Sequence, residues 1–334
     1  MTGPGTVDLS ELDPDFAEHL GIVADAIVDG QVVPVLGAGA NLCDRGPKGT
    51  PEGAWVDGKN LPNGAELSTW LAGEFTVKVP DREDLVRVAQ YANLTRGEGP
   101  LFEKLNKVFL QETYDIPSLH RFLASLPEWL AAQREPDDTR PNTQLIVSTN
   151  YDDLVERALK DAGVEFHLVR YCANGPNQGL FVHEPPGDSE EVVIKKPNEY
   201  LDVDPDEHTV VLKLHGTIVR SSKTQDSYVI TEDHYIEYLA HTNPSELFPA
   251  PILAKLVNSS FLFLGYGMRD WNLRVLLHRI LDLRAGVGWQ SWAVQKGVDK
   301  LDVKLWTPRQ VDLHDHGLKE YVAGLKAALE HASA

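Results

Sequence analysis

Four times along the chain a short apolar run stops at a glycine or polar turn and gives way, at once or after a polar stretch, to helix-spaced sequence. The runs are "QVVPVLGAGA", "TQLIVSTNYDD", "HTVVLKLHG" and "SSFLFLGYGMRD". Strands that are apolar throughout are buried on both faces, and their alternation with helices predicts an α/β, Rossmann-like fold. Its sheet is mostly parallel, with helices on both faces. Ligands of such sheets bind beyond the carboxyl ends of the strands. Gly37–Gly39, Asn150–Asp152, His215–Gly216 and Gly265–Gly267 therefore share one rim.

Around these runs, "DFAEHLGIVADAIVDG" reads as a first helix ending at Gly30. "WQSWAVQ" and "RQVDLHD" read as closing strands, and "LKEYVAGLKAALEHA" as a last helix. Residues 44–64 are dense in Gly, Pro, Asp and Asn and form a long connection of the kind that carries function. The helical patterns of about 64–130 form one insertion, and the polar stretch of about 172–208 forms a second, made of loops and hairpins. Residues 1–334 are expected to make a single α/β domain around them.

The formal net charge of −19 argues against direct capture of nucleic acid, which needs a cationic surface. Cys43 and Cys172 are the only cysteines, so neither a disulfide framework nor a four-cysteine zinc site can be built. The first twenty residues have no apolar core, and no run approaches the ~20 apolar residues of a membrane span. A cytoplasmic protein without membrane contact is expected.

Each rim motif has two readings. Glycines at Gly37 and Gly39 let a pyrophosphate approach the backbone, yet Leu42 stands where a dinucleotide fingerprint needs its third glycine, and no acidic residue ends a second strand soon after. A hydride-transfer site is therefore disfavoured. Asn150 or Asp152 either caps the following helix or faces a ligand. His215 is either a satisfied structural histidine or an acid–base group working near neutral pH. Gly265 and Gly267 repeat the phosphate logic, with Asp270 as a helix cap and Trp271 as core. His314 and His316, beside Asp315, read as solvated surface.

In this order, strand–"GAG", strand–"TNYD", strand–"LHG" and strand–"GYG" resemble the sirtuin superfamily. The closer likeness is to the zinc-free sirtuin-like domains of bacterial antiphage proteins. It covers roughly residues 20–330, most specifically in "STNYDDL" and "FLGYGMRDWNLR". The resemblance implies that NAD is a substrate, cut at its nicotinamide–ribose bond, and that no zinc is needed. Gly37, Ala38 and Gly39 would then hold the pyrophosphate, with Asn41 and Thr149 in the same nucleotide-binding set. Asn150 would stand beside the nicotinamide ribose, Asp152 would bond the carboxamide, and His215 would serve the ribose hydroxyls or the nucleophile. Gly265, Tyr266 and Gly267 would line the adenosine side, and Gln295 would reach the adenine ribose. The candidate catalytic residues are thus Asn150, His215 and Asp152.

The chain departs from protein-deacylating sirtuins in two ways. It cannot carry their two CxxC pairs, and "NLPNGAEL", with Asn63 in the place of an aspartate, stands where they carry Gly-Ile-Pro-Asp-Phe-Arg. The reading that follows is an NAD hydrolase that depletes NAD in antiphage defence. Its alternatives are a protein deacylase or ADP-ribosyltransferase, and a non-catalytic sensor or scaffold binding NAD or ADP-ribose. A toxic NADase needs restraint, and a chain of this length leaves little room for its own sensor. The resemblance therefore implies homo-oligomerisation or a separately encoded partner, such as a sensor, an ATPase or an Argonaute-type protein.

Overall fold

The structure, a computed structural model, describes residues 7–332 apart from 48, 188–189, 221–225, 241–242, 269–270 and 285–287. Helix α1 (Pro14–Val28) leads into β1 (Val32–Leu36), and helices α2 (Gly64–Glu74), α3 (Leu85–Arg96), α4 (Glu98–Phe109) and α5 (Ser118–Gln133) follow. Next come β2 (Leu145–Ser148), α6 (Leu154–Asp161), β3 (Phe166–Tyr171), β4 (Phe181–Glu184), β5 (Val192–Ile194) and β6 (Thr209–Lys213). A small hairpin, β7 (Gly216–Thr217) with β8 (Ser227–Tyr228), precedes α7 (Glu232–Ala240), α8 (Pro244–Leu247) and α9 (Ala250–Val257). The chain then runs through β9 (Ser260–Leu264), α10 (Trp271–Asp282), β10 (Ser291–Val294), α11 (Lys300–Trp306), β11 (Val311–His314) and α12 (Leu318–Ala332).

Nine strands form one sheet in the order β11-β10-β9-β1-β2-β6-β3-β4-β5. From β11 to β3 every pairing is parallel; β4 and β5 add to the edge antiparallel. The stretch read as hairpins and loops thus extends the main sheet, an attachment that its polar sequence does not announce. Period-two geometry divides each strand between two cores. From β1, Val32 and Leu36 join a core with α1, the α2–α6 helices and α12, while Val33 and Val35 join one with α7–α11. Helices therefore cover both faces, as the continuous apolar runs require. Pro34, which lacks a donor, sits where β1 has no β2 partner, since that pairing begins at Val35↔Val147.

Gly30 ends α1 at φ +68, with its N–H on Ile27 and that of Gln31 on Ala26, a Schellman closure. Among the described residues no helix is long and apolar enough to cross a membrane.

The histidines at the sheet edges do not behave as solvated surface. His314 stacks on His19 with ring centroids 3.5 Å apart, and His316 stacks on Phe16 at 3.8 Å. The turn after β11 folds back onto α1, so its histidines cover the core, which corrects the reading of His314 and His316. At the opposite edge His167 Nδ1 meets His183 Nε2 at 2.7 Å, and His183 Nδ1 meets the Tyr200 hydroxyl at 2.6 Å. Burial, helped by histidine neighbours, holds His19 down to about 3 and His183 down to about 4. In the unfolded chain these rings take a proton near pH ~6.5, whereas the folded protein resists it. Folding stability is therefore expected to fall as pH drops from about 6.5 towards 4. Urea denaturation across that window checks this; the double substitution His19→Gln/His183→Gln should flatten the decline, and an unchanged slope would contradict it.

Candidate active site

The parallel register aligns four strand ends. Leu36 lies level with both Ser148 and Leu264, and Ser148 lies level with Lys213. Gly265, Gly37, Thr149 and Leu214 thus leave neighbouring strands side by side, bringing the four rim motifs together. Connections run from β1 to β2 on one side and reach β9, β10 and β11 on the other. The switch in strand order falls between β1 and β9, where sheets of this kind open a crevice.

The first glycines are used by the protein itself. Gly37 donates to Leu264 at 3.3 Å and Gly39 to Gly265 at 2.9 Å. A Cβ on Gly39 would stand 2.6 Å from the Gly265 carbonyl oxygen, and one on Gly37 would stand 2.7 Å from Tyr266 Cα. Gly265, at φ +64, would put its own Cβ 2.1 Å from Ala40 N. The two turns pack backbone to backbone, which only glycine allows. Phosphate approach is not needed to explain these three glycines, and the Gly39 N–H already has an acceptor. Gly267 differs: a Cβ there would meet nothing within 4 Å. Tyr266 is buried against Gly37, and Gln295 Oε1 accepts from the Met268 N–H at 3.4 Å. Asp270 and the Trp271 side chain lie outside what the structure describes.

The polar residues of the second turn divide their work. Asp152 Oδ1 accepts from the Leu154 N–H at 3.1 Å, serving the start of α6, while its Oδ2 accepts from Asn41 Nδ2 at 2.7 Å. Asn150 does not cap. Its Nδ2 donates to the Gly37 carbonyl at 3.1 Å, and its N–H is held by Ser148 Oγ at 3.1 Å. Thr149 closes on Leu36 through both its N–H and its hydroxyl, at 3.1 and 3.2 Å. Asn41, Asn150 and Asp152 are all buried, and Asn41 Oδ1 has no partner.

His215 is buried one strand away. Its carbonyl accepts from the Val229 N–H at 2.9 Å, and its ring meets Tyr235 and Tyr238 edge-on at 5.3 and 5.7 Å. Gly216 follows at φ +77, where a Cβ would lie 2.0 Å from the Ser227 carbonyl oxygen. That glycine lets the β7–β8 hairpin close against the histidine.

Three further buried groups surround the turn, and none was singled out from sequence. Lys213, at the end of β6, is fully buried; its Nζ pairs with Glu156 Oε1 at 3.3 Å and donates to the Asp152 carbonyl. Burial pushes the Glu156 carboxyl up against the pull of Lys213. His120 lies in the first turn of α5, which Asp44 caps through the Ser118 N–H and hydroxyl at 2.5 and 2.8 Å. Burial, with Lys213 nearby, brings His120 down to about 4, and neither of its ring nitrogens has a partner. Asn41, His120 and Glu156 thus leave unpartnered polar atoms around Asp152, an arrangement suited to a polar guest or ordered water. The only sequence cue was a lysine within a buried strand, "VVLKL".

Among the described residues no group of three His, Cys, Asp or Glu side chains could hold a metal ion. What the rim offers is an oriented amide, a buried histidine and a buried carboxylate at the ends of two adjacent strands.

Comparison with known proteins places these features in a family. The model of the SIR2-like domain matches residues 144–313. The NAD(+) hydrolase ThsA of Acinetobacter baumannii (strain 532279) is 29% identical over 219 residues, covering 65% of this chain and 36% of that protein. The NAD(+) hydrolase ThsA of Cytobacillus dafuensis is 27% identical over 229 residues, covering 69% of this chain and 37% of that protein. The match spans little more than a third of the length of these relatives.

Proposed function

The chain belongs to the SIR2-like family, and from that premise we propose that it hydrolyses NAD at the nicotinamide–ribose bond, giving nicotinamide and ADP-ribose. The observation that carries this is the pairing across two adjacent strand ends. Asn150, with its amide turned onto the Gly37 carbonyl, stands one strand from the buried His215. The relatives are named NAD(+) hydrolases, which supports the same chemistry.

In this reading the glycosidic carbon loses neutral nicotinamide and passes through an oxocarbenium-like sugar. Nicotinamide carries off the bonding pair, so no acid is needed for the leaving group. Water supplies the new C–O bond; Asn150 positions it and His215 takes its proton, directly or through a ribose hydroxyl. Asp152, held by Asn41, would receive the carboxamide, with the unpartnered Asn41 Oδ1 beside it. Gly37, Ala38 and Gly39 would cradle the pyrophosphate through groups other than the Gly39 N–H, with Thr149 closing that wall. Gly265, Tyr266 and the open Gly267 would line the adenosine side, and Gln295 would serve the adenine ribose. NAD depletion in antiphage defence, gated by self-assembly or a separately encoded partner, belongs to the same proposal.

Incubating the purified protein with NAD and following nicotinamide and ADP-ribose by chromatography tests it. Equal amounts of the two products without an acceptor protein are expected. Release only with an acyl-lysine or protein acceptor would replace hydrolysis by group transfer.

A further inference from the structure

The ring of His215 is held by a helix that is itself held from outside the site. Tyr235 and Tyr238, three residues apart on α7, present one face of that helix to the imidazole. Tyr238 is backed in turn by Tyr171 of β3, with ring centroids 4.8 Å apart. On its other side α7 is clasped by α3 and α4. Gln90 Nε2 donates to Asp233 Oδ2 at 2.7 Å, and the Asp233 N–H donates to Gln90 Oε1 at 3.1 Å. His234 Nε2 meets Glu98 Oε1 at 3.1 Å, and its ring lies against Phe102. Gln90 is buried and Asp233 is exposed, so the reciprocal pair is half-shielded from solvent.

We infer that Tyr235 and Tyr238 are positioning residues for His215, and that the Gln90–Asp233 clasp makes their position depend on how α3 and α4 sit. The inference deepens the hydrolase reading, because it takes His215 as the proton acceptor. None of the clasp residues lies on the rim; they act through the helix. Two hydrogen bonds to one side chain and its own backbone N–H fix α7 in both translation and rotation. A ring packed edge-on between two side chains of that helix follows it. An event that shifts α3 and α4, such as assembly or partner binding, then reaches the reacting geometry without touching substrate.

The test compares Gln90→Ala and Asp233→Ala with Asp233→Asn, which keeps both an acceptor oxygen and the backbone N–H. Two readouts are taken: steady-state nicotinamide release, and the His215 ring cross-peak in a proton–carbon NMR spectrum, assigned by its loss in His215→Ala. Small displacements of a reacting group can cost up to ~10²-fold in rate, so kcat is expected to fall by about 10-fold or more with KM little changed. The His215 cross-peak should move in both alanine variants, and Asp233→Asn should restore cross-peak and rate together. Tyr235→Leu should add no further loss in a His215→Ala background. An unmoved cross-peak in folded Gln90→Ala and Asp233→Ala protein overturns the inference whatever the activity. Absence of nicotinamide release from wild type would overturn the hydrolase reading instead, while the cross-peak still decides this one.

Discussion

Replacing Asn150 or His215 by alanine is expected to lower nicotinamide release by about 10²–10⁴-fold, the range for a positioned proton-transfer or water-orienting group. The two losses should differ in kind. The Asn150 amide is already oriented in the free protein by the Gly37 carbonyl, so its removal takes away a preset group and one buried hydrogen bond. That bond is worth only about 1 kcal/mol to folding, far less than the loss in rate. Removing the His215 imidazole empties the space between two tyrosines, so some stability is lost as well. His215→Gln keeps more of the volume but cannot take up the proton, and should be as inactive as His215→Ala while unfolding closer to wild type. Single-turnover nicotinamide release, with urea denaturation of each variant, separates the two effects. Wild-type rates in either alanine variant would remove the catalytic assignment. Combining the two substitutions should cost little beyond the worse single one, because in the proposed mechanism the two groups act on one water.

The strands and their common rim were legible because their signal is local: an uninterrupted apolar run followed by a turn residue. The helices on both faces followed from the same runs. The meaning of the glycines was not, because Gly39 and Gly265 are far apart in sequence and neither shows that the other's backbone occupies its missing Cβ. The sequence spacing raised both capping and ligand roles for "STNYDD"; only the fold separates them, giving the α6 start to Asp152 and the Gly37 carbonyl to Asn150. Lys213, Glu156 and His120 were missed for a related reason. A lysine in an apolar strand declares itself only when its carboxylate partner, on a helix before it in the chain, is placed beneath the turn. His314 and His316 were misread because a short polar turn looks solvated until α1 is seen to lie across it.

That buried pair carries the second large effect. Lys213→Met should destabilise the protein by about 3–5 kcal/mol, because Glu156 is left in the interior without its cation. Glu156 Oε2 already lacks a partner, and burial already raises this carboxyl, so little else is present to compensate it. Its raised folded pKa gives the sign of the pH dependence. The folded state holds the proton more tightly than the unfolded chain, so Glu156's contribution is greatest in acid and is lost as pH rises through the folded value. Loss of Lys213 raises that value further, so Lys213→Met should unfold more readily at neutral than at mildly acidic pH, relative to wild type. The double variant Lys213→Met/Glu156→Leu replaces both charges by apolar volume and should recover most of the stability, since buried pairs seldom stabilise more than a packed apolar substitute. It should not recover the rate. Lys213 also donates to the Asp152 carbonyl, and without that bond the turn carrying Asn150 and Asp152 loses one of its ties to β6 and the hairpin after it. A double variant that is stable yet slow in nicotinamide release would show that the pair is retained to hold the site in place. One that is stable and fully active would reduce Lys213 and Glu156 to core residues.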